Sequence, residues 1–69
     1  MEIRQVLAKN VRKYRNQLQL SQEALAHAAD LDRTYISGIE RGLRNPTVIV
    51  LSQLAVALGR DASDLLKPN

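Results

Sequence analysis

The segment Leu31-Asp32-Arg33-Thr34-Tyr35-Ile36-Ser37-Gly38-Ile39-Glu40-Arg41-Gly42 constrains the fold most. Its start and its stop are both written into it. The Asp32 carboxylate can accept from the free N–H groups of a first helical turn. Gly42 can take the left-handed conformation that closes a helix without a Cβ clash. Leu31, Ile36 and Ile39 share one thin apolar stripe, while Arg33, Thr34, Ser37 and Arg41 occupy other faces. A helix this short must be held by neighbours along the stripe, because one standing alone is marginal in water. Its wide polar face is left uncovered.

The neighbours are legible on both sides. Across residues 2–18, Ile3, Val6, Leu7, Val11, Tyr14 and Leu18 recur at spacings of three and four, the mark of an amphipathic helix with Tyr14 in the core. Residues 17–20 make a short connection. Ser21 caps a second helix, Gln22 to Ala29, with Leu25, Ala26 and Ala29 facing inward and Glu23 favourably placed in the first turn. Asp30 and Leu31 form a tight turn into the segment already described. Beyond Gly42, Leu43-Arg44-Asn45-Pro46 reads as a loop, since Pro46 disfavours helix at the residue before it. Thr47 caps a fourth helix, Val48 to Leu58, closed by Gly59. Its apolar character on most sides predicts the central core element. Asp61 caps a last short helix with Asp64 as the capping-box partner, and Leu65 and Leu66 dock back. No strand pattern, repeat or linker interrupts this series. The prediction is an all-α chain of five short helices, one compact domain over 1–69.

Composition narrows the chemistry. A chain of 69 residues buries only about 60% of the surface its unfolded form exposes, so self-association would help it. It has no Cys, hence no disulfide, thiolate zinc site or cysteine nucleophile. The single histidine, His27, sits at a surface-leaning position with no assignable role. The carboxylates fall mostly at helix caps, and there is no glycine-rich phosphate loop. No enzymatic activity, metal, cofactor or small-molecule effector is expected. Residues 1–5 are charged and lack the apolar stretch of a signal peptide, and Val48-Ile49-Val50-Leu51 is too short to span a bilayer. A soluble cytoplasmic protein with no membrane partner is expected. The net charge of +3 is concentrated in the first helix, where Arg4, Lys9, Arg12, Lys13 and Arg15 face only Glu2. Such a helix attracts phosphates or is simply a solvated face; charge alone does not separate the two.

Two short helices joined by a turn of about three residues form a helix-turn-helix, here spanning approximately 21–41. Ala26 lies where the helices cross, and a larger side chain there would push them apart. Leu25, Ala29, Leu31, Ile36 and Ile39 fix their angle. The outer face of the third helix can then enter a DNA major groove about 12 Å wide, with the second helix lying across the phosphates.

Leu20-Ser21-Gln22-Glu23-Ala24-Leu25-Ala26, then Asp32 to Gly42, then Arg44-Asn45-Pro46-Thr47 resemble the phage repressor and Cro (XRE) family of lambda-repressor-like regulators. The run Asp32 to Gly42 is similar to that of restriction–modification controller proteins. The resemblance covers nearly the whole chain. It implies base contacts by Arg33, Thr34 and Ser37, with Arg33 able to present paired donors to guanine. It implies phosphate contacts by Gln22, Tyr35, Arg41, Arg44 and Asn45. Glu40 matches a position that pairs with an arginine of the first helix, here Arg15. Two positions depart from the pattern. Asp30 stands where the turn usually has Gly, although Asp tolerates left-handed φ. Gly38 stands where several members place a base-reading side chain, at a cost of about 1 kcal/mol against Ala in a helix interior.

The resemblance further implies a homodimer on a partly palindromic operator in duplex DNA, in a nucleoid-associated or phage-encoded setting. With no separate oligomerisation segment after the motif, the fourth and fifth helices would supply the contact, through Leu51, Leu58, Leu65 and Leu66. The alternative is an antitoxin-like or protein-interaction helical module, which would not need Arg33, Arg44 and Gln22 at these places. RNA binding is less favoured, because Tyr14 and Tyr35 are the only aromatic residues available for stacking.

Overall fold

A computed structural model describes residues 2–68; Met1 and Asn69, the ends of the expected domain, lie outside the described residues. The chain forms α1 (Ile3–Gln17), α2 (Gln22–Ala29), α3 (Arg33–Glu40), α4 (Val48–Leu58) and α5 (Ala62–Leu65), with no strand among the described residues.

Each helix begins on a polar side chain that serves its free N–H groups. Glu2 Oε1 accepts from Arg4 N at 2.8 Å, and Ser21 Oγ from Ala24 N at 3.0 Å. Asp32 Oδ1 accepts from Thr34 N at 2.8 Å, and Thr47 Oγ1 from Val50 N at 3.1 Å. In α5 the Asp64 side chain reaches back to accept from Asp61 N at 3.1 Å, the capping-box contact read from the sequence. Hydrogen bonds to the charged form hold the Glu2, Asp32 and Asp64 carboxyls below the ordinary range. The leading causes are the Arg4 amide for Glu2, the Thr34 hydroxyl for Asp32 and the Asp61 amide for Asp64.

The first four helices also end alike. A residue at φ near +60° to +74° reverses the chain at Gln19, Asp30, Gly42 and Gly59. The next amide then bonds back to the last turn: Leu20 N to Arg15 O, Leu31 N to Ala26 O, Leu43 N to Gly38 O and Arg60 N to Ala55 O, all within 2.8–3.1 Å. This satisfies carbonyls that a helix end would otherwise strand. Asp30 does adopt the left-handed conformation in place of Gly. Gln19 does the same, and nothing in its side chain announced it.

The core comprises Leu7 and Val11 of α1, Leu25, Ala26 and Ala29 of α2, Ile36 and Ile39 of α3, Leu54, Ala55 and Leu58 of α4, and Leu65 of α5. Three expectations need correction. First, α4 is not the central element: Val48, Ile49 and Val56 are 83%, 74% and 78% exposed. Its neighbours cover one face only, so a helix that is apolar on most sides leaves Val48, Ile49 and Val56 bare alongside the polar Ser52. Second, Leu58 and Leu65 are buried within this one chain, so they have no surface left for a dimer contact; of the four expected interface residues, Leu51 and Leu66 retain some. Third, Tyr14 is half-buried at the core edge, its ring 4.8 Å from Lys13 Nζ and 4.3 Å from the Arg60 guanidinium.

Asn10 ties α1 to the C-terminal end. It is 1% exposed, and its Nδ2 donates to Leu65 O at 2.8 Å and Lys67 O at 2.9 Å. An amide buried this deeply is tolerable only when hydrogen-bonded. These bonds satisfy carbonyls at the end of α5.

Candidate nucleic-acid interface

The crossing of α2 and α3 positions the site. Ala26, 3% exposed, sits in the crossing beside Leu25, Ala29, Ile36 and Ile39. The left-handed turn at Asp30 and the Leu31 N to Ala26 O bond set the angle between the helices. With Ile36 and Ile39 turned inward, Arg33 and Thr34 are exposed and Ser37 and Tyr35 are half-exposed.

A polar cluster locks the other edge of α3. Glu40 is 3% exposed. Arg15 reaches it with two donors, Nε to Oε2 at 2.6 Å and Nη2 to Oε1 at 2.9 Å. The bridge read from the resemblance is present and bidentate, the strong geometry for this pair. Arg15 Nη1 also donates to Leu20 O at 2.9 Å, so one guanidinium joins α1, α3 and the connection before α2. The Glu40 carboxylate holds the Arg15 pKa above its already high ordinary value. Two further partners were not foreseen. Arg12 Nη2 donates to the Glu40 backbone carbonyl at 2.6 Å, which supplies the end of α3 with a cationic donor. Gln22 Nε2 donates to Glu40 Oε1 at 3.2 Å.

These contacts relocate the expected charge. Within α1, Arg4 pairs with Glu2 at 2.8 Å, Arg12 and Arg15 turn to Glu40, and Lys13 lies over Tyr14. Four of the five cations of that helix thus have partners within the chain, but only Arg15 is largely withdrawn from solvent: the Arg4 and Arg12 side chains remain 50% and 53% exposed, and Lys9 and Lys13 are exposed. Sequence counting sees charges but not their partners.

The other expected contacts are placed as follows. Arg33 is exposed and uncommitted to any bond among the described residues. The Thr34 hydroxyl donates to Asp32 Oδ1, leaving its oxygen lone pairs and methyl group for an outside partner. Arg41 is exposed, with Nε 3.4 Å from Ser37 O. Arg44 folds back from the loop so that its guanidinium lies 5.5 Å from the centroid of the Tyr35 ring. Asn45, next in sequence, lines a different feature: an apolar groove of about 200 Å³ with Ile3, Arg4, Leu7, Pro46, Leu51 and Leu66. The structure therefore gathers Arg33, Thr34, Tyr35, Ser37, Arg41 and Arg44 around α3 and its following loop. Gln22 points to Glu40, and Asn45 belongs to the groove. Among the described residues no cluster of His, Cys, Asp or Glu could hold a metal, and no helix is long and apolar enough to cross a membrane.

Comparison with known proteins agrees with this geometry. The helix-turn-helix family profile matches residues 11–65. The chain is 50% identical over 66 residues to the control protein C.SmaI of Serratia marcescens, covering 96% of this chain and 79% of that protein. Its fold superposes on the restriction–modification controller protein C.AhdI from Aeromonas hydrophila with a TM-score of 0.87 at 37% identity, over 90% of this chain and 94% of that one. It also superposes on SinR, a master regulator for biofilm formation whose crystal structure is in complex with DNA. There the TM-score is 0.85 at 29% identity, over 88% of this chain and 98% of that one.

Proposed function

The chain belongs to the helix-turn-helix family, and from that premise we propose that it is a sequence-specific duplex-DNA-binding transcriptional regulator that acts as a homodimer on a partly palindromic operator. One observation carries the reading. The inner edge of α3 is locked to α1 and α2 through Glu40, while its outer face keeps an exposed, uncommitted Arg33 beside Thr34 and Ser37. A helix so held can be pressed into a major groove without being repacked.

Roles divide by position. Arg33, Thr34 and Ser37 read base edges. Tyr35, Arg41 and Arg44 hold the backbone along one side. Gln22 keeps a second amide hydrogen for a phosphate at the start of α2. The dimer contact falls on the apolar groove where Leu51 and Leu66 meet Ile3 and Pro46, with Pro46 and Leu51 each two residues along the chain from the bare Val48 and Ile49. A second copy of this chain would remove that surface from water and bring two α3 helices about 34 Å apart, one turn of DNA.

The test is fluorescence anisotropy with a duplex selected from a random pool. Specific affinity should fall with salt by a log–log slope of about −0.9 per phosphate neutralised. Equal binding to selected and random duplexes would refute the regulator reading. It would favour a protein-interaction module instead.

A further inference from the structure

Gly38 stands in the middle of α3, where a residue without a side chain costs helix stability and where a base-reading side chain would be expected. We propose that Gly38 is a positioning residue: it is the seat on which the Arg44 side chain is laid, and it thereby sets the direction from which Arg44 meets the DNA backbone. This rests on the DNA-contact reading of Arg44 given above.

The geometry is specific. Gly38 is buried although it lies on the side of α3 toward the following loop. A Cβ built on it would have three nearest neighbours, all from Arg44: Cγ at 2.7 Å, Nε at 3.1 Å and Cδ at 3.4 Å. The seat is therefore filled by the stem of Arg44. The closure of the helix brings the two together, because Leu43 N bonds to Gly38 O at 2.9 Å and delivers the next residue, Arg44, beside Gly38. Beyond the seat, the guanidinium comes to rest 5.5 Å from the Tyr35 ring centroid. Tyr35 and Gly38 are three residues apart and so lie on one side of the helix. An exposed arginine otherwise samples many rotamers and loses that freedom on binding. Laid over Gly38 and against Tyr35, it has given up part of it beforehand, and two backbone-contacting groups are presented together. Gly38 takes a normal helical conformation, with no positive φ. Its missing side chain matters for the room it leaves, not for backbone freedom.

The test is Gly38→Ala, alone and with Arg44→Ala. Alanine is the better helix former, and the atoms it meets belong to an exposed side chain that can swing away. The thermal midpoint should therefore hold or rise. A residue needed only for packing would lower it. Nuclear magnetic resonance should show the ring-current shift of the Arg44 side-chain protons in the parent protein and its loss in Gly38→Ala. DNA affinity should fall about tenfold, the size of one charge-assisted contact, and match the loss in Arg44→Ala, with the double variant no weaker than either single one. Retention of the Arg44 shift in Gly38→Ala, or additive losses in the double variant, would overturn the seat. Undiminished binding by Arg44→Ala would overturn the phosphate contact, and with it the role in DNA binding, whatever the resonance data show. That outcome separates failure of the underlying reading from failure of the seat.

Discussion

Replacing Glu40 by Gln tests the lock on α3 most directly. Its side chain is 2% exposed and accepts from Arg15 Nε at 2.6 Å, Arg15 Nη2 at 2.9 Å and Gln22 Nε2 at 3.2 Å. Glutamine keeps the shape but removes the charge and turns an amide donor toward cationic donors. Arg15, with its side chain 15% exposed, is left with Leu20 O as its good acceptor. Breaking a buried pair from one side costs about 3–5 kcal/mol. Arg15 retains some water and the amide retains one acceptor oxygen, so the lower end, about 3 kcal/mol, applies. A chain of 69 residues has a total stability of about 3.5–10 kcal/mol, so the variant should lose roughly a third or more of it. At about 4–8 °C per kcal/mol for a domain of this size, the thermal midpoint should drop by about 12–24 °C. Urea unfolding followed by circular dichroism would measure the change, and a double-mutant cycle with Arg15→Met would assign it to the pair. A loss below about 1 kcal/mol, typical of exposed ion pairs, would refute the reasoning, because it would mean that water screens this contact.

The remaining predictions concern the other parts of the surface. Arg33→Ala should reduce discrimination between selected and random duplexes, whereas Arg41→Ala should weaken both alike and shallow the salt slope by about one unit; identical anisotropy profiles for the two variants would contradict the division into base and backbone contacts. Leu66→Glu should leave a folded monomer in light scattering, since Leu66 is 38% exposed and lines the apolar groove; a dimer of unchanged size would move the interface elsewhere. Glu2, Asp32 and Asp64 titrate below the ordinary carboxylate range in the folded chain. The stability they contribute is present above their unfolded values and is lost as pH falls through and below that range. The thermal midpoint should therefore fall on acidification and fall less steeply in Asp32→Asn; parallel curves for parent and variant would show that this cap carries no such linkage.

Much of the fold was legible because helix starts and stops are local chemistry. Ser21, Asp32 and Thr47 each accept from an amide two or three residues on, and Gly42 and Gly59 reverse the chain just past the last turn. Those signals placed α2 and α4 at their observed boundaries. Gln19 was not legible as a helix terminator, because its left-handed conformation is imposed by the connection between α1 and α2 instead of favoured by its side chain. The role of α4 was misread for a related reason. Apolar residues on most sides announce burial, but how many faces are covered depends on how many helices are available to cover them. Of the site, the Arg15–Glu40 pair and the outward placement of Arg33 were legible through the resemblance. The engagement of Arg12 and Gln22 by Glu40 was not, because it joins residues 18 and 28 positions apart along the chain.

By itself, the sequence determined five short helices, the angle-setting small residue at Ala26, and a third helix with one apolar edge. These follow from capping groups and from the 3.6-residue period, which act within a few residues. Tertiary structure alone decided which charges are spent internally and which remain for a partner. It brought the half-exposed Arg12 and Gln22 onto Glu40, buried Leu58 and Leu65 while leaving Leu66 partly bare, and laid Arg44 across Gly38. An ion pair or a covered methyl group depends on distance in space, and a 69-residue chain fixes those distances only once all its helices have packed.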